Sequence, residues 1–480
     1  MSHRCRRQSQ DATLCERDSH WVSAFGPFLQ SLQADVLAEI FFWCLPDDVE
    51  QECKPTLRST PFNLASVCRA WRKVVLGNPS LWATFGIVYE SSRVGDEMYY
   101  AVPLQWWLIR SRSSPLTFSI RSNRLDVTVS DHQSIYPYGD PFIPPLDGLC
   151  RNVVAHQHRW RRVRMEYYIS SPVSTDITMQ LSSMPLLEEI YVHFPVHGPR
   201  LLVDLASSPN VQKVSLNGCF KLDFGDSKLR SLTSVHLSFN HPSQAFPSMD
   251  DVAGVLHAAP HLEEIFADVI SNCISGPIPT VVMQNLRRVH FTFKLSGGAI
   301  IQRLFSSITL PALKDFLIIL GIATALDSQL DNFGIPALLE RSQASLDSFH
   351  VQGMPMTQRE ILDCLRVSPG LKNLTISGPH LNASFIKHLT IRADENDFDR
   401  LSPEIERIYI AHCFLADARD YVANMISSRW DLTTKGSRHL KQVRFHHTGL
   451  GLGGGLVRLL SMKECVEDGL KLTVTEEDGF

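Results

Sequence analysis

The spacing most suggestive of chemistry lies near the C-terminus. Gly449-Leu450-Gly451-Leu452-Gly453-Gly454-Gly455 contains a formal GxGxxG after an apolar run, with Asp468 about twenty residues further on. A dinucleotide site needs that loop inside a βαβ unit, because the pyrophosphate rests on a helix N-terminus and further strands complete the fold. Only 25 residues follow Gly455, so a glycine turn is the expected structure. No Lys-Ser/Thr follows, which excludes a P-loop. His446-His447 and His412-Cys413 lack the additional ligands and spacing of a zinc site. The chain holds 19 His and 11 Cys without any CxxC, so Ser-His-Asp or Cys-His sets can always be assembled, but none sits in a motif. Cys44, Cys68 and Cys364 fall on helix faces and read as small buried hydrophobes of a reducing compartment. No catalytic residue, metal or cofactor is expected. An enzyme with a site outside any motif ranks well below a binding protein.

The elements that would position a site are more telling. At 480 residues the chain exceeds one ordinary core, and 44% hydrophobic with 20% charged residues is ordinary for a globular protein. A formal net charge of −4 argues against nucleic acid or an anionic membrane as generic partners. No apolar run is long enough to span a membrane. Met1–Gln8 has no apolar stretch after its basic residues, so a secretory signal is not expected and a disordered tip is. The two Asn-x-Ser/Thr sequons, at Asn373 and Asn382, therefore carry no weight. A cytoplasmic or nuclear location is expected.

Residues 31–76 hold two amphipathic patterns. Val36, Leu37, Ile40, Phe41, Cys44 and Leu45 share one helical face, and Pro46-Asp47-Asp48 ends it. Leu64, Val67, Cys68, Trp71, Val74 and Val75 form a second stripe, predicted as one helix that stops at Gly77-Asn78-Pro79. Arg69, Arg72 and Lys73 lie off that stripe and are expected to be solvated, and the polar run Gln51–Thr60 reads as a loop. Burying one such apolar side chain is worth about 1.5–3 kcal/mol. The two stripes together hold on the order of 20 kcal/mol, more than two helices and a turn can cover. Some of this surface is expected to pack inside the chain, and some to dock a partner helix.

The segment resembles an F-box of the type found in a large fungal family of F-box proteins. The likeness rests on Leu32, Val36-Leu37, Ile40-Phe41, Val67-Cys68-Arg69-Ala70-Trp71-Arg72 and Pro79-Ser80-Leu81-Trp82. Gln33 stands where the family has Pro, which would pre-set the start of the helix. The resemblance implies binding to a Skp adaptor and, through it, to a cullin and a RING protein of a ubiquitin ligase. Carried over to this sequence, Leu32, Val36, Leu37, Ile40, Phe41, Leu45, Val67, Cys68 and Trp71 are either adaptor contacts or the core of the F-box itself.

From about residue 160 an apolar-x-x-apolar-x-apolar motif recurs, from Trp160/Val163/Met165 through Leu187/Ile190/Val192 to Leu440/Val443/Phe445. From Leu187 onward its starts lie 21 to 35 residues apart, the loose period of a leucine-rich-repeat solenoid. Helical stripes lie between several motifs, as at Val252/Val255/Leu256/Ala259 and Ile361/Leu362/Leu365. Residues 86–150 fit less well, with a helix at Leu104–Ser111, a strand at Ser114–Ile120 and a loop at Asp131–Pro145. The expected fold is an α/β repeat: an N-terminal all-α F-box, then an irregular leucine-rich-repeat-like solenoid. The expected divisions are a tail (1–27), the F-box-like domain (28–85), a linker and cap (86–159) and the repeats (160–480).

Strand side chains alternate, so the residue between the last two apolar positions of each motif faces outward. That column contains the run His236, Phe266, His290, Leu317, His350, a candidate surface for a target protein because aromatic residues anchor interfaces. The expected function is a substrate receptor without chemistry of its own. The alternative is a repeat scaffold acting outside ubiquitination.

Overall fold

The computed structural model describes residues 33–45, 60–90, 96–123, 146–166, 178–194, 200–238, 247–269, 278–293, 298–320, 333–353, 356–379, 381–391, 401–431, 433–434, 437–450 and 460–475. Within these residues the protein is mixed α/β, with twelve α-helices and a large parallel sheet. It divides into two units, Met1–Tyr168 and Ile169–Phe480. Leu32, the tail, the Gln51–Ser59 part of the polar loop, the Asp131–Pro145 loop and Gly451–Gly455 lie outside the described residues.

The first unit opens with α1 (Ala34–Trp43). Gln33 precedes it in an extended conformation and makes no side-chain cap, while Asp35 complements the positive end of the helix dipole. The single helix predicted from Leu64 to Leu76 is instead two, α2 (Phe62–Val67) and α3 (Arg69–Gly77). The break falls at Cys68, which is extended at φ −155° and ψ 171°. Its Sγ accepts the Trp71 N–H at 3.4 Å, so a thiol fills the N-cap role usually taken by Ser or Asp. Arg72 then reaches back across the break, its Nε donating to Ala65 O at 2.9 Å. Asn78 caps the 3₁₀ turn Pro79–Trp82, in which Leu81 and Trp82 are fully buried.

Three parallel strands follow, β1 (Thr84–Glu90), β2 (Leu116–Asn123) and β3 (Trp160–Glu166), joined through α4 (Asp96–Arg110) and α5 (Leu146–Val154). One device recurs here. The Trp82 indole donates to Val75 O at 2.9 Å, and the Trp160 indole donates to Val153 O at 3.1 Å, each seven residues back at the end of a helix. Each carbonyl also accepts the backbone N–H three residues on, from Asn78 at 3.4 Å and from His156 at 3.0 Å, so the indole is a second donor that pins the helix end. Trp82 also packs edge-on against Phe62 and Trp107, at 5.0 and 5.3 Å between ring centroids.

In the second unit, eleven described strands pair in parallel and in chain order. They are β5 (Glu189–His193), β7 (Lys213–Asn217), β9 (Ser234–Ser238), β10 (Glu264–Val269), β12 (Arg288–Phe293), β14 (Asp315–Leu320), β15 (Ser348–Gln352), β16 (Asn373–Ser377), β17 (Arg407–Ala411), β20 (Gln442–His446) and β21 (Lys471–Thr475). From β5 to β20 each strand carries the recurring motif, and its last two apolar residues are in register with those of its neighbour and at most 3% exposed. The motif's first residue closes a tight turn. The N–H of Leu187, Val211, Leu232, Leu262, Leu313, Leu371 and Ile405 each donates to the carbonyl three residues earlier. This turn delivers the chain into these seven strands at the same height, which is why a loosely spaced motif still builds a regular sheet.

Helices fill the later intervals: α6 (Met249–Ala258), α7 (Gly298–Ser307), α8 (Ile335–Ser342), α9 (Gln358–Arg366), α10 (Ala383–Leu389), α11 (Arg419–Trp430) and α12 (Leu460–Glu467). The early intervals instead use a second parallel sheet of β4 (Thr178–Leu181), β6 (Arg200–Asp204) and β8 (Phe220–Asp223), and two short pairs, β11 (Val281–Val282) with β13 (Ile308–Thr309) and β18 (Thr433–Thr434) with β19 (Ser437–Arg438), lie in later intervals. Leu201, Val203, Phe220 and Leu222 are buried at every second position, a strand period that a helix cannot present to the core. Gly218, between β7 and β8, has φ +126°, and a Cβ there would stand 2.8 Å from Phe194 O. Gly218→Ala is therefore expected to cost about 1–3 kcal/mol, read as a lowered urea midpoint.

Candidate functional site

Two surfaces hold the residues singled out by sequence. The first is on the helices of the first unit. Leu37 and Phe41 point inward, at 2% and 0% exposed, and the Phe41 ring meets Trp71 at 4.7 Å between centroids. Val36 and Ile40, on the same predicted face, are instead exposed at 46% and 38%. A stripe of six cannot all turn toward one packing neighbour when that neighbour is a nine-residue helix, so the face divides. Leu45, Cys68 and Trp71 are half-buried, Val67 is exposed, and Cys44 is exposed rather than buried as predicted. Cys364 is buried as predicted, and burial pushes its thiol well above the ordinary range, helped by Glu360 and Asp363.

Trp43 was not anticipated. It is 77% exposed and continues the outer stripe one turn beyond Ile40, with its indole N–H donating to Glu39 at 3.1 Å. Spacing at 36, 40 and 43 is the helical signature that would have found it.

The second surface is the outward row of the parallel sheet in the second unit. His236, Phe266, His290, Leu317 and His350 occupy directly paired positions on five neighbouring strands. His236 lies 5.5 Å from Phe266, and Phe266 meets His290 edge-on at 4.4 Å. His290 Nε2 is 3.0 Å from Asp315 Oδ2. That pair has the form of the His-Asp part of a catalytic triad, but the residues in register with His290, Phe266 and Leu317, offer no nucleophile. The flanking row is occupied by ions that pair with one another, Lys213 with Glu189 and Arg288 with Glu264, and Ser234 also donates to Glu264 at 2.6 Å. Most of the charges of that row are spent on each other, while Asp315, in the same row, reaches across to His290 in the middle row.

Burial lowers the pKa of His236, against the pull of Asp268 and Glu264. Burial also lowers His350, reinforced by His290 and opposed by a Gln352 hydrogen bond and Asp315. Both imidazoles are thus neutral at physiological pH. The unfolded chain takes up protons that these rings resist, so stability is expected to fall as the pH drops below about 6.5. Urea midpoints compared between about pH 7.5 and about pH 5.5 check this, and a smaller drop is expected in His350→Gln.

His412, His446 and His447 pack together, with ring centroids 3.9 to 5.4 Å apart. Among the described residues no group of side chains is arranged to hold a metal ion, and no helix is long and apolar enough to cross a membrane. Gly449 adopts φ +69° in the turn after β20. The chain matches no protein-family model and no curated protein.

Proposed function

We propose that the chain is the substrate-recognition subunit of a cullin-RING ubiquitin ligase of the Skp-cullin-F-box type. Residues 28–85 act as an F-box that binds a Skp-type adaptor, and the second unit acts as a leucine-rich-repeat-like solenoid that binds the target. The observation that carries this reading is the exposed stripe Val36, Ile40 and Trp43, with Val67 also exposed on α2. The inner face of α1 is already filled by Leu37 and Phe41. An apolar stripe outside a filled core marks an interaction site, and helix-in-groove docking reads such i, i+4, i+7 anchors. The row from His236 to His350 is the proposed target-binding surface, because rigid rings at the centre of a sheet make low-entropy anchors.

The mechanism is proximity. Holding a target beside a ubiquitin-charged enzyme turns an encounter in solution into a local one. Co-purification of the full chain with a Skp-type adaptor and a cullin tests the reading. Recovery of the adaptor supports it. A chain that captures other proteins through the sheet but never the adaptor would leave the non-catalytic scaffold in its place.

A further inference from the structure

The outward face of the large sheet changes character toward its C-terminal end. Between β5 and β14 its ions are of both signs and pair across neighbouring strands: Lys213 with Glu189, Arg288 with Glu264, and His290 with Asp315. On β17, β20 and β21 the outward positions hold Arg407, Arg444 and Lys471 and, among the described residues, no carboxylate. All three cations are exposed.

The register sets their spacing. Arg407 and Lys471 flank Gln442 in one row, and Arg444 stands in the next row beside Tyr409. Neighbouring strands lie about 4.8 Å apart, so the three side chains leave the sheet within roughly 10 Å of one another. Like charges this close repel, yet two of them are held in place by neutral acceptors. Arg407 Nη1 donates to Asn373 Oδ1 at 3.1 Å. Arg444 Nε and Nη2 donate to the Gln442 amide oxygen at 2.8 and 2.9 Å, with that amide turned to satisfy both. An amide oxygen orients a guanidinium without cancelling its charge. The carboxylates at the strand entrances are engaged elsewhere, Asp347 by Lys372 and Glu406 by Lys441, each at 2.8 Å. Behind the patch Ile408, Ile410, Val443 and Phe445 are at most 1% exposed, so β17 and β20 form a fixed platform.

Oriented guanidiniums bind carboxylates through paired, charge-assisted hydrogen bonds. An extended peptide presents every second side chain to one side, about 6.8 Å apart. The diagonal step from Arg444 to Arg407 or to Lys471 is roughly 8 Å by strand and residue spacing, within reach of carboxylates two residues apart. Tyr409, half-buried next to Arg444, offers the bound chain a ring and a hydroxyl. A nucleic acid, with a charge about every 1.7 Å of duplex, calls for a longer run of cations.

We infer that the outward face of β17, β20 and β21 is a docking surface for an acidic peptide segment of a partner protein, held by Arg407, Arg444 and Lys471. β16 separates it from the row that ends at His350 on β15. The surface stands whether or not the chain binds an adaptor.

Fluorescence anisotropy of a labelled peptide with aspartate at alternate positions, titrated with the full chain, tests it. Saturable binding is expected at low salt, weakening as ionic strength rises. The same peptide with lysine in place of aspartate should not bind. Arg444→Gln should weaken binding about tenfold, the worth of one hydrogen bond to a charged group. Its melting temperature should match wild type, because the side chain is exposed. Arg444→Lys should keep more affinity than Arg444→Gln, since the charge stays and only the fork is lost. Arg407→Glu combined with Arg444→Glu should abolish binding. Phe266→Ala should leave it unchanged, which separates this surface from the row between His236 and His350. The inference is overturned if the aspartate peptide does not bind, or if the double Glu variant binds it as wild type does. It is equally overturned if a single-stranded oligonucleotide binds more tightly than the peptide. Peptide binding seen only after removal of Glu476-Glu477-Asp478-Gly479-Phe480 would make that acidic tail the occupant and overturn it too.

Discussion

A chain carrying Val36→Asp and Ile40→Asp is expected to lose co-purification with a Skp-type adaptor while melting close to the wild-type temperature. The two side chains are 46% and 38% exposed. Surface substitutions of that kind shift stability by only about 0.5 kcal/mol. Their effect on a docked helix is much larger. Each would place a carboxylate in a desolvated apolar contact, and central anchors of this type are worth about 2 kcal/mol or more apiece. Two of them amount to roughly a thousandfold in affinity. Trp43→Ala, at the exposed end of the same stripe, should weaken binding by a smaller factor.

The comparison with Phe41→Ala makes the test specific. Phe41 is fully buried against Trp71, and truncating such a ring costs about 3–5 kcal/mol of stability. Its variant should lose the adaptor together with the fold of the helices, visible as a lowered melting temperature. The Asp variants should lose it with the fold intact. If adaptor recovery were unchanged in the double Asp variant, the outer stripe would have no part in docking and the F-box reading would lack its main support. Substitutions along the row from His236 to His350 should leave adaptor recovery untouched, since those residues belong to the second unit.

How far the sequence foretold this arrangement depends on which physical signal each element uses. The strands were legible because their signal is local and repeated: in each motif from Leu187 to Leu440 all three apolar residues end up buried. The outward row was legible for the same reason, since alternation alone places Phe266 between His236 and His290. What could not be read was the division of labour within a helix face. Val36 and Leu37 are neighbours of similar polarity, yet one is exposed and the other is not. The outcome is decided by where α3 lies, not by residue type. The break at Cys68 was hidden as well, because a thiol cap leaves the 3.6-residue period of the flanking stripes intact. The early strands β6 and β8 were missed because their intervals are short, and a short apolar run does not distinguish strand from helix. Arg429 gave no signal at all, since a buried arginine reads as an ordinary surface charge until its acceptors are known.

That arginine is the basis of the second large expected effect. Arg429, in α11, is 1% exposed. Its guanidinium donates to Leu389 O and Leu401 O at 2.8 Å and to Ser402 O at 3.0 Å. Leu389 ends α10, so one of these bonds satisfies a terminal carbonyl at the negative end of a helix dipole. Ser402 has φ +42°, a strained value for a residue with a Cβ. It is held there from both sides, by Arg429 on its carbonyl and by its own hydroxyl, which donates to Leu365 O at 3.1 Å and Ser368 O at 3.0 Å. Burial pulls the guanidinium down to about 10, still far above neutrality, so it remains a cation bonded only to neutral carbonyls. Arg429→Met keeps much of the volume and removes every donor. Leu389 O and Leu401 O would be left dry and unpaired, at about 1–3 kcal/mol each, while Ser402 O keeps the Ile405 N–H, so the loss is expected to be roughly 2–6 kcal/mol, a large share of the stability of an ordinary domain. Arg429→Lys should recover only part, since one ammonium cannot span acceptors on a helix end and a separate turn. Urea unfolding measures both variants. Amide exchange should localise the damage to residues 383–391 and 401–405, including the turn closed by the Ile405 N–H on Ser402 O. A midpoint for Arg429→Met within about 0.5 kcal/mol of wild type would mean that these two carbonyls find water when the guanidinium leaves, and that this buried charge does not hold α10 and the 401–402 turn together.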